Sequence, residues 1–202
     1  MINGALKVFA QQGYRHASTD DIVREAGISK GLLFHYFGSK IGLYGFLFDY
    51  SARFMLLEMS GTVSRGETDF FELIRQMERA RMQVMKLYPY MQQFLNRCLK
   101  EKCQEAADEI GEKRTDYQQQ IESYMAQADY RWLERFGDAE RIRRQMRYTI
   151  EGVTRQMTER YDFTPEKLYQ EICIYIDMLQ RMCRQEDSDL TAATITQRGL
   201  TI

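Results

Sequence analysis

Residue types that perform acid–base, nucleophilic or metal chemistry are thinly spread in this sequence. Histidine occurs twice, as His16 and His35. No nucleophile elbow, phosphate-binding glycine loop or HExxH is present, and the acidic residues show no catalytic spacing. The four cysteines, Cys98, Cys103, Cys173 and Cys183, follow no CxxC or zinc-ribbon spacing, so neither a disulfide framework nor a structural zinc is expected. The chain is therefore not expected to be an enzyme, and no catalytic residue, metal or cofactor is assigned. What remains is the chemistry of recognition, concentrated between Thr19 and Lys40. Lys30 carries an ammonium that can meet guanine O6/N7 or a phosphate, Gly31 lets backbone come close, and Leu32 and Phe34 offer apolar contact to thymine methyls. His35, Tyr36 and Lys40 suit flanking phosphates, and Thr19 adds a hydroxyl and helix-end amides to another.

Those side chains need elements to aim them. Ile2, Ala5, Leu6, Phe9 and Ala10 form a helical stripe that stops at Gly13, a residue suited to a left-handed cap. Ser18-Thr19-Asp20-Asp21 supplies a hydroxyl cap and first-turn carboxylates for a short helix whose inner face is Ile22, Val23 and Ala26, and Gly27 breaks it. Ile28 is an apolar plug, Ser29 a second cap, and Lys30 to Phe37 a second short helix, which together make a helix-turn-helix. Burying Ile28, Leu33 and Phe37 turns the face that begins with Lys30 outward. From Thr19 to Lys40, Arg24, Lys30 and Lys40 are balanced by Asp20, Asp21 and Glu25, so attraction to DNA must come from placement rather than excess charge.

The remainder is longer-wavelength. Seven of the 13 glycines lie in the first fifty residues and eleven of the 12 methionines after them, which predicts a turn-rich head and a body of longer helices. With 44% hydrophobic and 28% charged residues the 202-residue chain is neither disordered nor fibrous, and its net charge of -1 gives no whole-chain basic excess. No apolar run approaches the roughly 18 to 20 residues of a membrane span, and the start lacks a signal-peptide layout, so no membrane partner and a cytoplasmic location are expected. Strand alternation is nearly missing and spacings of three and four recur, which predicts an all-α fold. Helices are expected from Phe70 to near Pro89, from about Pro89 to Cys103, and along Tyr117, Ile121, Tyr124, Met125, Ala128 and Trp132 to a stop at Gly137-Asp138. Two long helices follow, the second opening at Thr164-Pro165-Glu166. From Gln185 to Ile202 the pattern stops, and a flexible tail is expected.

Phe9-Ala10-Gln11-Gln12-Gly13-Tyr14, Asp21 through Gly31, and Leu33-Phe34-His35-Tyr36-Phe37-Gly38-Ser39-Lys40 resemble the N-terminal domain of TetR-family transcriptional regulators. The resemblance spans residues 2 to 48 in unbroken register. It implies a three-helix DNA-binding head over 1–48, a connecting helix from about Ser39, and a helical effector-binding and dimerisation domain over 49–184. It implies a homodimer on a near-palindromic double-stranded operator, released as a repressor by a small molecule. By position it places Lys30, Gly31, Leu32 and Phe34 in or near the major groove, with Thr19, His35, Tyr36 and Lys40 holding the backbone; Ser29 completes the DNA-binding set. Two departures are that Leu32 stands where a small polar residue is common and Phe34 where tyrosine is common. The chain also starts almost inside the first helix, without the basic arm many relatives carry.

Two alternatives stay open in the body. Tyr88, Met91, Phe94, Tyr117, Tyr124, Met125 and Trp132 can line a cavity for an apolar or aromatic effector or can be ordinary core. The stripes Ile142, Met146, Ile150, Val153, Met157 and Leu168, Ile172, Ile176, Leu179 can be core, a two-fold dimer interface, or both. An architectural DNA-binding protein without an effector is the competing function.

Overall fold

The computed structural model describes residues 1–131, 133 and 138–198, with side chains placed as far as Cys183. The described residues form nine α-helices and no strand: α1 (Ile2–His16), α2 (Thr19–Ala26), α3 (Lys30–Phe37), α4 (Lys40–Thr62), α5 (Phe70–Leu87), α6 (Met91–Cys98), α7 (Gln104–Met125), α8 (Ala139–Thr158) and α9 (Pro165–Arg198). None of them is long and apolar enough to cross a membrane. The expected border at residue 48 falls inside α4. Contacts instead gather Met1–Arg65 with Arg79–Ala126, and Gly66–Glu78 with Gln127–Ile202.

In the first unit, α1 packs on both α2 and α6, and α4 on α7. Leu6, Phe9, Ile22, Leu33, Leu47 and Phe48 are fully buried, each such side chain contributing about 1.5–3 kcal/mol of transfer free energy. Phe9, Tyr44 and Phe94 bring α1, α4 and α6 together, with ring centroids 5.2 Å apart for Phe9–Tyr44 and 5.5 Å for Tyr44–Phe94. Behind them the Cys98 thiol donates to the Tyr44 hydroxyl at 3.2 Å, which donates to Glu101 at 3.1 Å. Burial pushes the Cys98 thiol up to about 12, so it stays protonated.

Gly13 turns α1. Its φ of 76° and ψ of 168° are non-helical and open to glycine alone at little cost. A helix broken there cannot offer its next amides to the carbonyls of Ala10 and Gln11. Arg97 of α6 supplies the donors, its Nη1 lying 3.2 Å from the Ala10 oxygen and 3.4 Å from that of Gln11.

In the second unit α8 packs on α9. Met146, Val153 and Met157 from α8 and Leu168, Ile172 and Ile176 from α9 are buried. Arg75, on the first half of α5, donates to Asp177 at 2.6 Å and Gln180 at 2.7 Å.

Three expected boundaries differ. The helix through Tyr117 ends at Met125 instead of running to Gly137, which lies outside the described residues. Past its end the chain is drawn aside where the Asp129 amide bonds to the Thr68 carbonyl at 2.8 Å. Helix α6 stops at Cys98 rather than Cys103, because the Glu101 carboxylate accepts from the amides of Lys102 and Cys103, both at 2.9 Å, and closes a turn. The stretch read as a flexible tail is helical in its backbone as far as Arg198; no glycine or proline stands between Pro165 and Gly199 to stop it.

Candidate nucleic-acid interface

Serine caps set the three helix starts that carry the site. Ser18 Oγ accepts from the Asp21 amide at 3.0 Å, Ser29 Oγ from that of Leu32 at 3.1 Å, and Ser39 Oγ from that of Gly42 at 3.0 Å. Between the first two, Gly27 closes α2 in the left-handed conformation at φ 65°, ψ 35°. The result is a fixed corner from which α3 projects.

Helix α3 has an unusual polarity. Leu33 is fully buried, while Ile28 and Phe37 are half-buried. Leu32 is 41% exposed, Phe34 43% and Tyr36 66%, and Gly31 and His35 are also exposed. A merely solvated face would not carry three large apolar side chains on eight residues. Gly31 has no packing reason to be glycine: a Cβ there would meet only Ser29 Oγ, at 3.9 Å.

The cations are more committed than the sequence suggests. Lys30 Nζ sits 2.7 Å from Asp20. Arg24 pairs with Asp21, whose carboxyl is held below the usual range by the Ser18 hydroxyl first and by Arg24 second. Lys7 meets Glu25 at 2.7 Å, and that hydrogen bond raises the lysine. Lys40 is turned inward: Nζ donates to the carbonyls of Tyr14 at 2.9 Å and Ala17 at 3.1 Å and lies 4.3 Å from the centre of the Tyr14 ring. Thr19 is half-buried at the start of α2, beside the carboxylates of Asp20 and Asp21, which leave that helix end poorly suited to a phosphate. Arg15, at the end of α1, is an exposed cation that the sequence reading passed over.

Among the described residues, those expected to line an effector cavity have different neighbours. Met91 and Phe94 are fully buried, Phe94 within the Phe9–Tyr44 cluster. Tyr117 lies edge-on to Phe48 at 6.3 Å. Tyr88 is half-buried, bonded to the Tyr50 hydroxyl and edge-on to Phe54 at 5.1 Å. Tyr124 and Met125 are half-buried at the end of α7, and Trp132 is outside the described residues.

For dimerisation, six of the nine named residues are inside the second unit: Met146, Val153, Met157, Leu168, Ile172 and Ile176. Only Ile142, Ile150 and Leu179 keep partial exposure. The outward apolar residues are others, with Ile174 at 54%, Met178 at 52% and Met182 at 61% in one row on α9, and Tyr148 at 61% on α8. Their i, i+4, i+8 spacing was in the sequence, but the adjacent row of stronger hydrophobes masked it.

Residues 1–45 match the family model of bacterial regulatory proteins of the tetR family. No curated protein matches the chain. Among solved structures it is similar to the TetR family transcriptional regulator PfmR of Thermus thermophilus, at 17% identity over 89% of this chain and 96% of that one, with a TM-score of 0.53. It is similar to the fatty acid degradation regulator FadR of Bacillus halodurans, at 17% identity, 87% and 95% coverage and a TM-score of 0.57. A TetR family transcriptional regulator of Chloroflexus aurantiacus shares 22% identity over 98% of this chain and 90% of that one, with a TM-score of 0.51. At these identities the likeness is one of fold.

Proposed function

We propose that the chain, whose residues 1–45 match the family model of bacterial regulatory proteins of the tetR family, is a homodimeric, ligand-responsive transcriptional repressor that reads a near-palindromic operator. The carrying observation is the outward face of α3, where Gly31 has room for a side chain it lacks and Leu32, Phe34 and Tyr36 stand exposed beside Lys30. Apolar groups suit thymine methyls and the ammonium suits guanine O6 or N7, while the bare Gly31 backbone permits close approach. Tyr36, His35 and the Ser29 hydroxyl are the phosphate-side contacts in this reading, and Thr19, beside Asp20 and Asp21, is left out of it.

Two copies are required for two half-sites, and the Ile174, Met178, Met182 row with Tyr148 is the face we assign to the pairing. A small apolar or aromatic molecule taken into the helical body favours a state in which the two heads no longer match the half-site spacing. Helix α4 transmits that change because Lys40 and Ser39 root it in the head. Operator must then weaken effector binding by the factor by which effector weakens operator binding. Selection of bound duplexes from a random pool tests the reading: two inverted half-sites are expected, and no enrichment overturns it. With the selected duplex as probe, apolar and aromatic compounds should include some that release it; a protein that no such compound shifts is the architectural alternative.

A further inference from the structure

Asp20 is a carboxylate on the recognition side of the head whose one task in the fold is to complement the dipole at the start of α2. Asp21 completes the Ser18 cap and holds Arg24, and Glu25 ties α2 to α1 through Lys7. Asp20 instead reaches across from the first turn of α2 to the first residue of α3 and pairs with Lys30 at 2.7 Å, with 69% of its own side chain and 49% of the lysine's in solvent. A carboxylate facing a polyanion opposes binding. An ion pair this exposed adds little to stability.

We infer that Asp20 is a specificity-determining residue of the DNA interface, which withholds Lys30 from phosphates and leaves it available to guanine. The inference rests on the reading of α3 as the recognition helix. An ammonium has three N–H donors, so Lys30 can keep Asp20 on one and offer the others to guanine O6 and N7. On the matching base pair the bridge survives. Where adenine N6 or cytosine N4 faces it, a donor meets a donor and the base leaves at most one acceptor, adenine N7, in place of guanine's two, so a phosphate becomes the stronger partner. To reach that phosphate Lys30 must leave Asp20, stranding a carboxylate beside the DNA backbone. Asp20 thus weakens binding to the wrong sequence more than to the right one, which is how a repulsive group produces selectivity.

The test compares the full-length wild type with Asp20→Asn and Asp20→Glu on the selected operator and on a random-sequence duplex, across a salt series. For Asp20→Asn, binding to random duplex should tighten about three- to tenfold while operator binding changes little, so the ratio falls by that factor. The salt slope should steepen by about 0.9, and preference should be lost at one base pair per half-site. Asp20→Glu should restore the ratio, while Asp20→Asn should lower the melting temperature only slightly, by the loss of one exposed first-turn carboxylate from α2; a merely structural role would weaken binding to both duplexes alike. An unchanged ratio, or equal weakening on both duplexes, overturns the inference. A wild type that enriches no motif overturns the DNA reading itself, before any variant is made.

Discussion

The Lys40 ammonium is held by the backbone of Tyr14, 2.9 Å from its carbonyl oxygen and 4.3 Å from the centre of its ring. With the Ala17 carbonyl as a second acceptor, the lysine fastens the start of α4 to the corner between α1 and α2. The sequence alone predicts a phosphate contact for this lysine, which the inward bonds replace. Charged hydrogen bonds contribute about 1.5–3 kcal/mol each, so Lys40→Met should lower the melting temperature markedly. It should weaken operator binding through the head's loss of order while the salt slope stays near the wild-type value. An unchanged melting temperature with a slope flattened by about 0.9 would restore Lys40 to the phosphates.

Gly31→Ala should separate stability from function. Glycine in the middle of a helix costs about 0.5–1 kcal/mol relative to alanine, and in the first turn, where Gly31 stands, a smaller part of that; a Cβ at residue 31 meets only Ser29 Oγ, at 3.9 Å. The variant should melt higher and bind operator more weakly. Tighter or equal binding would remove Gly31 from the interface.

The α9 row predicts a contrast between neighbours. Met178→Glu, at an outward position, should give folded monomers by sedimentation and abolish operator binding. Ile176→Glu places an unpaired charge in the core and should destabilise by about 3–5 kcal/mol, unfolding rather than dissociating the unit. A Met178→Glu protein that stays dimeric puts the interface elsewhere.

Alkaline pH should unfold the first unit. Burial raises the Cys98 thiol from its ordinary 9.0 to about 12 and the Tyr117 phenol from 10.0 to about 12. In both cases the folded value exceeds the unfolded one, so the stability is fully present below the ordinary value and is lost as pH rises from about 9 for Cys98, and from about 10 for Tyr117, toward 12. Each group adds a slope of up to about 1.4 kcal/mol per pH unit in that window. Urea unfolding at pH 8, 9, 10 and 11 should show the decline, and Cys98→Ala should make it shallower above pH 9. A flat profile would mean these groups are hydrated.

Local signals were legible in the sequence wherever a few neighbouring residues decide the outcome. Ser18, Gly27, Ser29 and Ser39 mark real helix ends because a cap is settled within three or four positions. The outward set on α3 follows from the single buried neighbour Leu33. What could not be read was partner choice across the chain. Nothing near Lys40 announces that its partners are carbonyls 26 and 23 positions away, nor that Lys30 lies against Asp20. The α9 faces show the same limit: 172/176 and 174/178 are both apolar rows, and only packing against α8 decides which turns inward.

The bond between Arg97 and the bend at Gly13 also sets an order of events. The carbonyls it satisfies lie 86 and 87 positions earlier in the chain. On the ribosome, α1 to α3 emerge long before α6 is made, so the bend of α1 at Gly13 lacks its donors until residue 97 is in place. The first helix of the head therefore completes its bonding only after part of the body exists, and an excised head should hold its α1 bend less firmly than the full chain does.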